Sequence, residues 1–334
     1  MADVVGQQGP SPVRQGGESL REVGIVAGSH SHIVTPVSTV LSIQSHVTVG
    51  SVGNSAAVFA LQRLGVETWG LPTVVLSNDN ALPHVAGPSL GADQLRAIVD
   101  AMEANRVLGQ VDALLSGYLT AETTEVIWET ADRLRELNPK VLFCCDPVMG
   151  DSGTGFYVPP EVRDFLGRRA PGRADILTPN LFELEALTGM RPSSVQQVVA
   201  AARTLVAAGT ATVLVTSVAA ADLPADQVHM VAVTAESAVL VSTPVLDAHF
   251  DGSGDLTAAV LLAHLLAGKE LAAALGATAG SVHAVLAETV RLGRQELALV
   301  QAQDQLVSAE PAPTQSLNTL MSAPSAPSRA GKSS

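Results

Sequence analysis

Between residues 39 and 305, short runs rich in Val, Leu and Ile alternate with stretches of helical period, and this alternation limits the fold more than any other feature. Parallel strands need a crossover of a dozen or more residues, usually a helix, so the pattern predicts a mainly parallel sheet with helices on both faces. Expected strands are 40–44, 67–75, 113–116, 141–145, 176–178 and 212–216, followed by an antiparallel pair at 228–234 and 238–242. Expected helices are 54–64, 93–108, 123–137, 181–187, 195–208, 255–266 and 270 to about 301, with one further short helix after 151.

Composition narrows the function classes. With 47% hydrophobic residues among 334, the chain can bury a large core, and 3% aromatic content makes that core aliphatic. A formal charge of −13 has the wrong sign for a phosphate backbone or an anionic membrane surface, so no nucleic-acid or membrane partner is expected. The most apolar stretch, 256–280, is interrupted by His264, Lys269 and Glu270 and reads as a buried helix. The two cysteines, Cys144 and Cys145, are adjacent and cannot form a normal bridge with each other. Nor does the N-terminus pair a basic region with an apolar one, so the expected compartment is the cytoplasm. Residues 1–38, rich in Gly, Ser, Gln and Pro, and 306–334, rich in Pro, Ser, Ala and Thr, are expected to be disordered extensions of a 39–305 domain. The histidines lack metal-binding spacing, and the C-terminal Gly-Lys-Ser lacks the earlier glycine and following helix of a phosphate loop.

Two kinds of motif carry chemistry. Gly252-Ser253-Gly254-Asp255 opens an apolar helix, where converging backbone amides and the helix dipole favour an anion. An Asp there can accept a proton from an attacking hydroxyl, although a simple turn with an N-terminal cap fits the same four residues. The same helix terminus is expected to hold the Asp255 pKa low. The second kind is a set of polar strand ends, the place where open parallel sheets bind ligands. Asp146 to Asp151 follows one strand, Thr178 to Glu183 another, Thr216 and Ser217 end a third, and Ser42 to His46 surround the first. Asp146, Asp151 and Glu183, with Asn180, have the hard oxygen chemistry of Mg²⁺ held largely through water and phosphates. Taken singly, Asp146 and Asn180 could equally be turn or cap residues.

Blocks spread along the chain resemble pyridoxal kinases: Leu41-Ser-Ile-Gln-Ser-His-Val47, Gly53-Asn-Ser-Ala-Ala57, Leu61-Gln-Arg-Leu-Gly65, Leu115-Ser-Gly-Tyr-Leu119, Cys145-Asp-Pro-Val-Met-Gly-Asp151, Thr178-Pro-Asn-Leu-Phe-Glu183 and Gly252-Ser-Gly-Asp-Leu-Thr-Ala-Ala259. They run in family order over about 260 residues. The resemblance implies a ribokinase-like α/β three-layer sandwich and ATP-dependent phosphorylation of the 5′-hydroxymethyl group of pyridoxal. It makes Asp255 the general base, with Gly252 and Gly254 in the anion hole, and puts Ser45 and Thr73 against the substrate. Asp146, Asn180, Thr178, Thr216, Ser217 and Ser253 fall on the ATP side, and Asp151 and Glu183 at the metal. Mg²⁺ with ATP as co-substrate, a monovalent cation such as K⁺ and a homodimer are implied in the same way.

Two departures from the family pattern stand out. Ser253 replaces the usual Thr but keeps the hydroxyl, and Asp79-Asn80-Ala81-Leu82-Pro83 replaces a His, Thr and Tyr-Gly pattern in the substrate-side lid. A hydroxymethylpyrimidine kinase of the same superfamily and a non-catalytic vitamin-binding relative are the competing readings.

Overall fold

The strand β1, Thr39–Val47, is buried at every position but His46. A strand buried on both faces belongs inside a sheet with a layer on either side, and β1 pairs in parallel with both β2, Glu67–Leu76, and β3, Ala113–Ser116. This computed structural model describes residues 37–79 and 82–322. The expected N-terminal extension up to 36, Asn80 and Ala81 of the altered segment, and the chain beyond 322 lie outside them.

From β3 the sheet continues in parallel through β4, Leu142–Cys145, β7, Ile176–Leu177, and β8, Thr212–Val215. Three antiparallel strands then complete one side: β9, Gln227–Val233, β10, Ala238–Pro244, and β11, Thr314–Ser316. A separate two-residue hairpin, β5 and β6, pairs Gly150–Asp151 with Gly155–Phe156.

Helices cover both faces. One layer holds α2, Ala92–Ala104, α3, Thr124–Leu137, α4, Pro160–Arg169, α5, Leu181–Thr188, and α6, Val195–Ala207. The helix α6 shows the logic: Val195, Val198, Val199, Ala202 and Leu205 recur at helical spacing and are all buried, and the Ser194 side chain caps the N-terminus by accepting from the Gln197 amide. Trp128 of α3 packs edge-on against Phe143 and Phe165. The other layer holds α1, Asn54–Arg63, α7, Ser253–Leu266, α8, Leu271–Arg291, and α9, Gln303–Ser308. In α7 every residue from Leu256 to Ala263 is buried, which explains its almost uniform apolar sequence. By length and composition α8 could cross a membrane, but half of its apolar window is buried inside the fold, as in a core helix.

Two expectations fail at the C-terminal end. The last long helix stops at Arg291, because Gly293 takes left-handed backbone (φ 61°) and turns the chain back; Leu297, Leu299 and Ala302 are then buried outside any helix. The stretch from 306 to 322, expected to be disordered, is built into the domain. The Ala312 amide donates to Gly276 O at 2.9 Å, and Cβ atoms on Gly276 and Gly280 would fall 2.7 and 2.2 Å from the carbonyls of Ala312 and Glu310. Those two glycines form a trough along α8. Beyond it β11 adds a strand to β10, Leu317 is buried, and Asn318 Oδ1 accepts the Ala238 amide. The segment is held by backbone bonding, which an apolar periodicity does not reveal.

Candidate active site

Six parallel strands direct their carboxyl ends to one side of the sheet, and the N-terminus of α7 points there too. Gly252 makes this approach possible. Its backbone is left-handed (φ 80°), and a Cβ on it would lie 2.0 Å from Ser51 O. The first amides of α7, on Ser253, Gly254 and Asp255, have no protein acceptor among the described residues, leaving three donors aimed at the cleft. The Ser253 hydroxyl turns back to donate to Phe250 O, and Gly254 is exposed; a Cβ on it would lie 3.9 Å from Asp146 Oδ2. Asp255 Oδ2 accepts the Gly53 amide at 2.8 Å.

Opposite this terminus, the loop after β4 is pinned to the N-terminus of α5. Asn180 caps that helix: its Oδ1 accepts the Glu183 amide at 2.9 Å while Glu183 Oε2 accepts the Asn180 amide at 2.9 Å. Glu183 Oε1 also accepts the Met149 and Gly150 amides, and Asn180 Nδ2 donates to Gly150 O. The Thr178 hydroxyl donates to Asp146 Oδ1 at 3.0 Å. Thr216 joins through its amide to Pro179 O, and Ser217 follows in left-handed backbone (φ 51°), one of two such non-glycine residues among the described ones. Asp146, Thr178, Asn180, Glu183, Thr216 and Ser217 thus form one connected wall.

The carboxylates facing this cleft hold their protons more tightly than usual. Burial pushes the Asp255 pKa up to about 6 against the opposing pull of the Gly53 amide, the reverse of the depression expected at a helix terminus. Burial likewise raises Glu183 to about 7 despite its three backbone donors. Asp146 is raised well above the carboxylate range, first by burial and then by the charges of Glu183 and Asp255. Among the described residues no Lys or Arg pairs with any of the three.

A phosphomethylpyrimidine kinase family model matches residues 51–299. The pyridoxal kinase PdxY of Rubrobacter xylanophilus is 46% identical over 271 residues, 80% of this chain and 93% of the relative. That of Leifsonia xyli is 42% identical over 79% of this chain and 94% of the relative. The chain belongs to the pyridoxal kinase family. The pyridoxal kinase of Leishmania donovani, solved with ADP and pyridoxamine, superposes with a TM-score of 0.78 at 30% identity, covering 84% of this chain and 99% of that one. The fold is accordingly the ribokinase-like α/β sandwich of that family.

Among family positions on the substrate side, Ser45 and Thr73 share a distortion of the sheet edge. The pairing of β1 with β2 jumps from Gln44 with Pro72 to His46 with Val75, so Thr73 and Val74 bulge opposite Ser45. Both Ser45 and Thr73 are buried, and the Thr73 hydroxyl donates to Tyr118 O. Asp151 stands apart from the wall. Its carboxylate serves its own hairpin, accepting from the amides of Gly153 and Thr154 and from the Thr154 hydroxyl. Partial burial opposes ionisation there, but those bonds more than offset it and leave the pKa low.

The described residues contain no group of three or more His, Cys, Asp or Glu placed to hold a metal by themselves. The donor set fits a hydrated cation that arrives on nucleotide phosphates, because the buried Asp146 and Glu183 and the half-buried Asp255 lack a positive partner among the described residues. Two participants were not selected from the sequence. Gly53 acts through its amide; it stands in one of the family blocks, but nothing in that block assigns it a role. Tyr157, one of two tyrosines, is half exposed, yet its hydroxyl pKa is raised by partial burial and by the charges of Glu183, Asp146, Asp255 and Asp151.

Proposed function

We propose that the chain transfers the γ-phosphoryl group of ATP to the 5′-hydroxymethyl oxygen of pyridoxal, with Asp255 as general base. The observation that carries this reading is the pairing of Asp255, anchored by Gly53, with three unpartnered amides at the head of α7. The substrate oxygen forms the new bond to phosphorus, the bond from phosphorus to the β–γ bridging oxygen breaks, and ADP leaves. The hydroxyl proton passes to Asp255, which is charged at neutral pH because its pKa is about 6. Such transfers have loose transition states, so most of the acceleration comes from alignment and from neutralising the equatorial oxygens. The amides of Ser253, Gly254 and Asp255 supply that neutralisation.

Ser45 and Thr73 line the pyridine side. Asp146, Thr178, Asn180, Thr216, Ser217 and Ser253 hold the nucleotide side. Asp151 and Glu183 would hold Mg²⁺ that comes with ATP, in large part through water, and the ion would supply neutralisation of the phosphate charge. Stimulation by K⁺, a homodimer and a cytoplasmic location belong to the same reading, the first two being read by adding K⁺ to the assay and by measuring the mass in solution.

The family model's description favours a second reading, phosphorylation of hydroxymethylpyrimidine. Against it stand curated relatives at 46% and 42% identity that are pyridoxal kinases. Incubation with MgATP and pyridoxal, with product followed by its absorbance and ADP by a coupled assay, tests the proposal. One ADP and one pyridoxal 5′-phosphate per turnover is the expected result; ATP hydrolysis without phosphorylated pyridoxal contradicts it.

A further inference from the structure

The loop from Gly50 to Gly53 is gripped from two sides. At its tip the Ser51 amide donates to Glu296 Oε2 at 3.3 Å, and the Ser51 hydroxyl donates to Leu297 O at 3.4 Å. Gly50 permits the approach: its φ is 102°, and a Cβ there would lie 2.5 Å from Glu296 Oε2. On the opposite side Ser51 O packs against Gly252, and two residues on the Gly53 amide donates to Asp255. The base of the loop is closed by a bridge between His46 and Gly53. Its tip therefore lies between Glu296 and the head of α7.

The backbone that carries Glu296 is anchored just after it: Leu297, Ala298 and Leu299 are buried, and the Ala298 amide donates to Thr289 Oγ1 at 2.9 Å. A carboxylate carried on anchored backbone can fix a loop that has left-handed glycines at both ends, Gly50 and Gly53. We propose that Glu296 is a positioning residue for catalysis: its carboxylate fixes the Gly50–Gly53 loop and so keeps the Gly53 amide aimed at Asp255. This rests on the reading of Asp255 as general base.

The consequence follows from what surrounds each carboxylate. Glu296 is faced by Asp79, Asp251 and Arg294; partial burial and the two acids raise its pKa, while the Ser51 amide and Arg294 oppose them. The charge of Asp255 raises the pKa of both Asp146 and Tyr157, and its carboxylate accepts the Gly53 amide. Loosening that amide removes the contact that holds the Asp255 pKa down. It also frees the carboxylate to turn away from the hydroxyl it must accept from. Glu296 bonds no group on the nucleotide wall, so ATP binding stays outside its reach.

The test is a double-mutant cycle on the full chain with pyridoxal and MgATP, reading kcat, both KM values and the acid limb of kcat/KM. Glu296→Ala is expected to lower kcat by roughly 10- to 100-fold, the scale of a small misplacement of a reacting group, to move the acid limb to higher pH, and to leave the KM for ATP unchanged. Glu296→Gln keeps an acceptor oxygen and is expected to recover most of the rate. Glu296→Asp, with its carboxylate drawn back by one methylene, is expected to fall on the side of Glu296→Ala. In an Asp255→Asn background the alanine change should cost little further. Parental kcat and acid limb in Glu296→Ala, an equal proportional loss in the Asp255→Asn background, or a Gln variant slower than the Asp variant each overturns the proposal. If Glu296→Ala fails to fold, the Gln and Asp variants decide. Near-parental turnover in Asp255→Asn alone overturns the base reading and this proposal together, whereas a silent Glu296→Ala beside an impaired Asp255→Asn overturns only this one.

Discussion

Asp255 must be charged to act, in a place that disfavours charge. Its pKa near 6 means that protonation on acidification removes the base, so kcat/KM should fall below about pH 6; a pH–rate profile flat from 8 to 5 would contradict this. Asp255→Asn should lower kcat by roughly 10²- to 10⁴-fold. The same change should stabilise the fold. A folded pKa raised above the unfolded value favours the protonated folded state, so the stability it contributes is present below about pH 4 and lost as pH rises through about 6. The asparagine variant avoids that loss, so its gain, on the order of 2 kcal/mol at pH 8, should shrink as pH falls from 6 to 4. Thermal melts across that range read it directly. Asp151→Asn belongs to this scale too: it should raise the Mg²⁺ concentration for half-maximal rate, and a titration overlaying that of the parent would remove Asp151 from the metal site. At residue scale the sequence was informative where roles are local. Gly252, Ser253, Gly254 and Asp255 act within one turn of helix, so their types and spacing carry the signal. Gly53 contributes an amide that no side chain announces. The Asp255 pKa runs against the sequence expectation because a helix terminus is a local feature, whereas desolvation depends on the segments that fold around the carboxylate from elsewhere in the chain.

Among the elements, α5 and the C-terminal segment teach opposite lessons. The polar residues at the head of α5 were open to a reading as simple caps, and Asn180 with Glu183 does form a capping box; the same bonds also hold Met149 and Gly150 in the wall of the cleft. A cap and a site residue are here the same residue, so the two readings do not compete. The C-terminal segment looked featureless because small residues and prolines dominate it, yet Gly276 and Gly280 admit its backbone and β10 pairs with it. Leu317→Ala should therefore cost about 2–4 kcal/mol, read as a lower denaturant midpoint with an unchanged slope. An unchanged midpoint would mean that the segment is dispensable for stability. The crossover helices and parallel strands were legible within a few residues because hydrophobic period is a local property. The β5–β6 hairpin, only two residues a side, has no period to read.

Across the whole molecule, one end of the sheet gathers residues from Ser45 to Asp255: the parallel strands β2, β1, β3, β4, β7 and β8 bring those up to Ser217, and β10, antiparallel to β9 and so running the same way as β8, precedes the loop to Asp255. Each parallel strand delivers its following loop to the same side, so polar residues scattered over 200 positions or more converge without any contact among their neighbours in sequence. Phosphoryl-transfer machinery of this kind is shared by kinases of different alcohols, and discrimination rests with the few groups on the substrate side. The most direct measurement is kcat/KM for pyridoxal and for hydroxymethylpyrimidine, taken side by side with the same preparation and MgATP. The account predicts that pyridoxal is preferred by roughly 100-fold or more, the range available when a site places hydrogen bonds for one ring and leaves them unmet by another. Equal values, or a preference for the pyrimidine, would contradict it.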